Sequence, residues 1–226
     1  MIEVLFIQIP AGANRDKMFV GLRSVVSKEC YVEALGYGNK EVALRRLLGE
    51  ALVRFALKKC WNLTSEDYRI DRGEKGKPFI VGVENVFFNI SHSGDYVVCA
   101  VSDREIGIDI EKRAKARMEV AGRFFHGEEV AQLKMLEEDK QDQLFFNYWS
   151  VKESFLKYIG TGLARPLNSF IVSFSGGGVS LFERGNKLPL YVHACPVDDG
   201  YGCHVCCEYE ELTGIHEIFL EEITGC

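Results

Sequence analysis

Isoleucines at positions 106, 108 and 110 alternate with Gly107, Asp109 and Glu111 in the segment REIGIDIEK. Strict alternation marks a β-strand with two unlike faces. Here one face is branched and apolar, and the other carries two carboxylates two residues apart. Carboxylates placed side by side repel each other and raise the cost of burying either one. A hard divalent cation between them reverses that cost, because such cations take oxygen ligands.

Around this strand the pattern alternates between the two periods. VLFIQI at the start reads as a strand. From Asn39, a good N-cap, the spacing turns helical: Leu44, Leu47, Leu48, Ala51, Leu52 and Phe55 share one stripe, which ends near Lys58–Cys60. RGEKGKPFI reads as a loop, with Gly73, Gly76 and Pro78 as breakers. VFFNIS and DYVVCAVS read as strands joined by a turn at His92–Asp95. Residues 118–125, 127–138 and 142–159 read as helices. Beyond Gly162, SFIVSFS, GVSLFE, PLYVHACPV and GCHVCCEY return to strand. In the closing IHEIFLEEI, strand and short helix are not separable by pattern. The order is that of an α+β fold run through roughly twice. The boundary falls near Asp103–Gly107, dividing the chain into subdomains 1–105 and 106–226.

A chain of 226 residues, 47% of them apolar, can build a sizeable core without disulfides. Its net charge of -6 argues against a general nucleic-acid binder. The opening MIEVLFIQIPAG lacks the basic start of a secretory signal, and no apolar run approaches the ~18 residues of a membrane span. The expectation is a cytoplasmic protein with reduced thiols. Cys203 and Cys206 beside His204 raise the idea of zinc, but no second spaced ligand pair accompanies them. A strand carrying small buried thiols accounts for HVCCEY.

Further charged groups fall into two sets. Glu153 and Lys157 are four apart in WSVKESFLKYIG, so they share one helix face, while Trp149, Phe155, Leu156 and Ile159 supply the core side. A third carboxylate and a lysine can therefore meet the strand pair. Magnesium, which binds few carboxylates plus substrate phosphates, matches that count. The cationic candidates for phosphate are Arg45, Lys77, His92, Lys152 and Lys157. No GxxxxGK[ST] loop is present. Ser91 and His92 do not read as a nucleophilic pair, because strand neighbours point apart and no GxSxG elbow occurs.

Taken in order, GKPF, FNISHSGDYVVCAV, GIDIEK, RFF and WSVKESFLKYIGTGL resemble the surfactin-type 4'-phosphopantetheinyl transferases, densely so from about Lys40 to Leu163. The resemblance implies a monomer of two similar α/β halves related by a pseudo-two-fold, with coenzyme A in the cleft between them. It implies transfer of the phosphopantetheine arm from coenzyme A to a serine of an apo carrier protein, acyl, peptidyl or aryl, with release of adenosine 3',5'-bisphosphate. The alternative is a non-catalytic module of the same fold that only binds carrier proteins.

Carried over by motif, Asp109, Glu111 and Glu153 hold magnesium, and Lys157 contacts the phosphate and assists the leaving group. His92 and Arg45 bind coenzyme A phosphates, the 3'-phosphate in particular. Lys77 and Ser91 sit near the adenine end. Glu129 in RFFHGEEV takes the place of a proposed base, with Glu128 as the other register and a metal-bound hydroxide as the other base. The family's basic run ahead of the first helix is reduced here to Lys28 and Lys40.

Overall fold

The computed structural model describes residues 1–12, 14–73 and 75–225. In the first strand, β1 (Ile2–Gln8), Ile2, Val4 and Phe6 face one core and Leu5 and Ile7 another. Both faces of its sheet are therefore covered. Helices α1 (Asn14–Gly21), α2 (Lys28–Leu35) and α3 (Lys40–Trp61) follow. The Asn39 side chain caps α3 by accepting from Glu41 and Val42 amides, as its sequence position predicts. Strands β2 (Arg69–Arg72) and β3 (Pro78–Val81) form a separate two-stranded ribbon, so both ends of the expected loop are paired. The strands β4 (Phe87–Ser93), β5 (Tyr96–Ser102) and β6 (Gly107–Lys112) come next.

The second half continues with α4 (Met118–Phe124), α5 (Gly127–Lys134) and α6 (Glu138–Ile159). Strands β7 (Ile171–Ser175), β8 (Gly178–Glu183), β9 (Asn186–Lys187), β10 (Tyr191–Ala194) and β11 (Tyr201–Cys207) come after them. The chain closes with β12 (Gly214–Glu217) and α7 (Leu220–Thr224), resolving the last segment into strand and then helix. Helices α1 and α2 precede the first helix expected from the pattern.

Two sheets stand back to back. The first has the order β12-β1-β5-β4, the second β6-β11-β10-β8-β7 with β9 on β8. Each carries one long helix of 22 residues on its outer face, α3 on the first and α6 on the second. This is the α+β arrangement of two similar halves. Between the sheets, Val4, Phe6 and Val98 meet Ile108, Ile110 and Val205. Burying each branched side chain there contributes about 1.5–3 kcal/mol. Residues 106–226 do not all stay on the second sheet: β12 pairs in parallel with β1, and the Ile218 amide just after β12 donates to the Phe6 carbonyl.

Candidate active site

β6 and β4 are the facing edges of the two sheets. With Ile108 and Ile110 turned into the inter-sheet core, Asp109 and Glu111 point to the opposite face, where α6 crosses. Gly107 permits that crossing, since a Cβ there would fall on the Ser154 carbonyl and the Tyr158 amide. The close approach brings Glu153 and Lys157 of α6 over the strand carboxylates. Lys157 Nζ donates to Asp109 Oδ1 at 2.6 Å, to Ser91 Oγ at 2.8 Å and to the Ile108 carbonyl at 3.1 Å. Ser91 Oγ in turn donates to Asp109 Oδ1 at 2.8 Å, and Ser93 Oγ donates to Glu111 Oε2 at 3.1 Å.

The acids of this site are held under strain of charge. Asp109 is buried, and burial pushes its carboxyl up while Lys157 and Ser91 pull it back. Its second oxygen, Oδ2, is buried with no hydrogen-bond partner. Glu111 is pushed up to about 7, first by burial and next by the charge of Asp109. Glu153 is raised for the same two reasons. Among the described residues no three His, Cys, Asp or Glu side chains form a closed metal centre. The carboxylates sense one another across an open site. An orphaned oxygen and three mutually repelling acids are the donor set that a hard divalent cation satisfies.

A second feature lies on the first half. Arg45, Arg46, Arg72, Glu33, Glu50 and His92 line part of a cleft of about 340 Å³. Arg45 donates to the Gly94 carbonyl at 2.7 Å, but its Nε is buried without a partner. Arg46 is committed to Glu33 at 3.0 Å and to Glu50 at 3.5 Å. The His92 ring is exposed, yet the protein around it and the Arg45 charge lower its pKa. Lys28 is exposed on α2 and outside the cleft lining, to which its neighbours Ser27 and Glu29 belong. Lys40 pairs with Asp16 at 3.3 Å.

Lys77, Ser91 and Glu129, also expected at the site, are each tied to partners within the protein. Lys77 Nζ donates to Glu105 at 2.8 Å and to the Tyr158 carbonyl at 3.3 Å, tying β3 to the end of α6. Ser91 is joined to Asp109 and Lys157, on the carboxylate side. Glu129, expected as the base, is buried in an interior ion pair with Lys152 at 2.8 Å. Its oxygens also accept from the His126 amide at 2.8 Å, closing the capping box of α5, and from the Val172 amide at 2.7 Å. Both Glu129 oxygens are thus engaged, while Glu128 beside it is exposed. Lys152, a phosphate candidate by composition, is its buried partner.

Sequence reasoning missed Asn89 and Ser93 as well as Arg72 of the cleft. A signal for the first two was present: Asn89, Ser91 and Ser93 alternate in FNISHS, placing three polar side chains on one strand face. The cysteines of GCHVCCEY lie in the fully buried β11, where burial raises the Cys203, Cys206 and Cys207 thiols. His204 Nδ1 lies 2.7 Å from Ser150 Oγ, and burial lowers the imidazole to about 4. Cys226 lies outside the described residues.

The sequence model of the 4'-phosphopantetheinyl transferase superfamily matches residues 105–206, and that of the 4'-phosphopantetheinyl transferase N-terminal region matches residues 15–104. The 4'-phosphopantetheinyl transferase gsp of Aneurinibacillus migulanus is 35% identical over 95% of this chain and 90% of its own length. The 4'-phosphopantetheinyl transferase Sfp of Bacillus subtilis (strain 168) is 37% identical over 97% of this chain and 94% of its own. The 4'-phosphopantetheinyl transferase ffp of Bacillus subtilis is 39% identical over 82% and 83% respectively.

Proposed function

The chain belongs to the 4'-phosphopantetheinyl transferase superfamily, and on that premise we propose how its site works. It is an enzyme that moves the 4'-phosphopantetheine arm from coenzyme A to a serine of a carrier protein, releasing adenosine 3',5'-bisphosphate. The observation that carries the reading of the site is the orphaned Asp109 Oδ2 amid the raised carboxyls of Glu111 and Glu153. These three residues would hold magnesium. Its chemistry there would be charge neutralisation of the pyrophosphate.

The protein's own groups do the rest. Lys157 places an ammonium beside Asp109, where negative charge builds on the leaving oxygen. Arg45 offers an unsatisfied buried N–H, and His92 a ring in the same cleft, to the 3'-phosphate. Lys77, just ahead of β3, would sit toward the adenine end. Residues 1–105 form the coenzyme A side, and residues 106–226 the carboxylate side, apart from a tail that serves the first sheet.

Our reading includes a monomer acting in the cytoplasm on carriers of fatty-acid, polyketide or nonribosomal-peptide synthesis, with no nucleic acid or membrane partner. Among the described residues no helix is long and apolar enough to cross a membrane. Incubation with coenzyme A, magnesium and apo carrier proteins, followed by mass spectrometry, tests it. Carriers should gain the phosphopantetheine arm, and chelation should stop the gain. Binding of carriers without any gain would favour the non-catalytic module instead.

A further inference from the structure

The two sheets meet along edges that share no backbone ladder. β4 and β6 run side by side in the same direction, and β4 side chains replace the missing carbonyl acceptors. Asn89 Oδ1 accepts from the Ile108 amide at 2.9 Å, Ser91 Oγ from the Ile110 amide at 3.3 Å, and Ser93 Oγ from the Lys112 amide at 3.0 Å. Each step of two along β4 is a step of two along β6. The seam thus satisfies edge amides that would otherwise be unpaired between two sheets.

A hydroxyl has one proton, and an amide donating to its oxygen constrains where that proton goes. Ser91, accepting from Ile110, sends its proton to Asp109; Ser93, accepting from Lys112, sends its proton to Glu111. Each serine therefore grips a carboxylate and the amide of the residue after it. The first rung follows the same rule with nothing to grip, because the residue before Ile108 is Gly107. Spacing of the carboxylates along β6 is thereby copied from the spacing of hydroxyls along β4.

From this geometry we infer that Ser93 is a positioning residue for Glu111, and that the Asn89–Ser91–Ser93 seam, by joining the halves, sets where the carboxylate pair stands. This rests on the reading of Asp109, Glu111 and Glu153 as the metal-binding acids. Ser93 touches no reacting atom and acts through the orientation of Glu111. Outer groups that orient a ligand of this kind change metal affinity by about tenfold or more when removed.

Ser93→Ala and Ser93→Thr test it, the second keeping the hydroxyl on a residue suited to strands. Crystal structures of both, without metal, read the position of Glu111 directly. Titration of the metal-free proteins with manganese reads cation affinity apart from turnover. In Ser93→Ala the Glu111 carboxylate should leave its place. Manganese affinity should fall about tenfold, and half-saturating magnesium in the transfer assay should rise in parallel. KM for coenzyme A at saturating magnesium and the melting temperature should stay close to wild type. Ser93→Thr should restore all of these. Glu111 unmoved in Ser93→Ala would overturn the inference, as would manganese affinity equal to that of a manganese-binding wild type. A wild type that binds no manganese would sink the metal reading, and the crystal structures would still decide the role of Ser93.

Discussion

Helix α6 carries two lysines five residues apart that each meet a carboxylate, and the two pairs are opposites. Lys152 and Glu129 are buried together at 2.8 Å, with relative exposures of 0% and 1%. Lys152 also donates to the Leu167 and Phe170 carbonyls and lies over the Phe170 ring. Glu129 takes two backbone amides besides. Lys157 and Asp109 make a shorter pair, at 2.6 Å, but the Asp109 Oδ2 is left bare, and two more acids stand beside it. The difference teaches which charges are structural. A buried pair whose donors and acceptors are used up holds elements together; one with an unsatisfied oxygen and like-charged neighbours is arranged for something that binds.

The contrast breaks first if Asp109→Ala behaves like a structural lesion. Transfer should fall by roughly 10⁴-fold or more, over about 5 kcal/mol of transition-state stabilisation. Stability should change little, because Lys157 keeps Ser91 Oγ and the Ile108 carbonyl as acceptors. Single-turnover rates and urea unfolding of the same preparation check both halves of that statement. Near-wild-type transfer at saturating magnesium would remove Asp109 from the site.

Glu129→Ala should do the reverse. It strands the Lys152 ammonium in the interior and removes the acceptor of two amides, so about 3–5 kcal/mol of stability is lost. Whatever fraction stays folded should transfer the arm at a rate within a few-fold of wild type. A stable Glu129→Ala protein with transfer reduced a thousandfold would return Glu129 to the role of base.

How far these roles were legible differs residue by residue. Asp109 and Glu111 were readable because strand periodicity alone assigns their face, and Glu153 and Lys157 because a spacing of four does so on a helix. The N-cap at Asn39 and the long stripe of α3 were local signals of the same kind. The enclosure of Glu129 was hidden because it depends on Lys152 and Val172, 23 and 43 residues away, and no local pattern encodes such a meeting. The return of β12 to β1 was hidden for the same reason: the pairing of Glu3 with Gly214 joins opposite ends of the chain. Asn89 and Ser93 fell between these cases. Their shared face was visible, but their partners belong to the edge of another sheet.

The smallest expected effect is the one most specific to the comparison, since its sign differs between the two regions. Glu111 ionises near 7 in the folded protein against an ordinary value of 4.5, because burial and Asp109 disfavour its charge. Between those two pH values the folded state holds the proton that the unfolded chain has released. Stability contributed by this group is therefore present below about 4.5 and declines as pH rises toward about 7. Glu111→Gln cannot ionise and escapes that decline. Without divalent cations at pH 8 it should be more stable than wild type by about 1 kcal/mol, a figure discounted for the partial exposure of the group. At pH 4 the two proteins should unfold alike, since both then carry a neutral side chain. Magnesium at pH 8 should stabilise wild type and leave Glu111→Gln nearly where it was. Glu129→Gln, by contrast, should destabilise at pH 8, because there the negative charge is what Lys152 and the two amides require. Urea titrations at the two pH values, with chelator and with magnesium, give all the differences. A Glu111→Gln protein no more stable than wild type in chelator would mean that Glu111 is not held at a cost, and the contrast between the two acids would lose its physical basis.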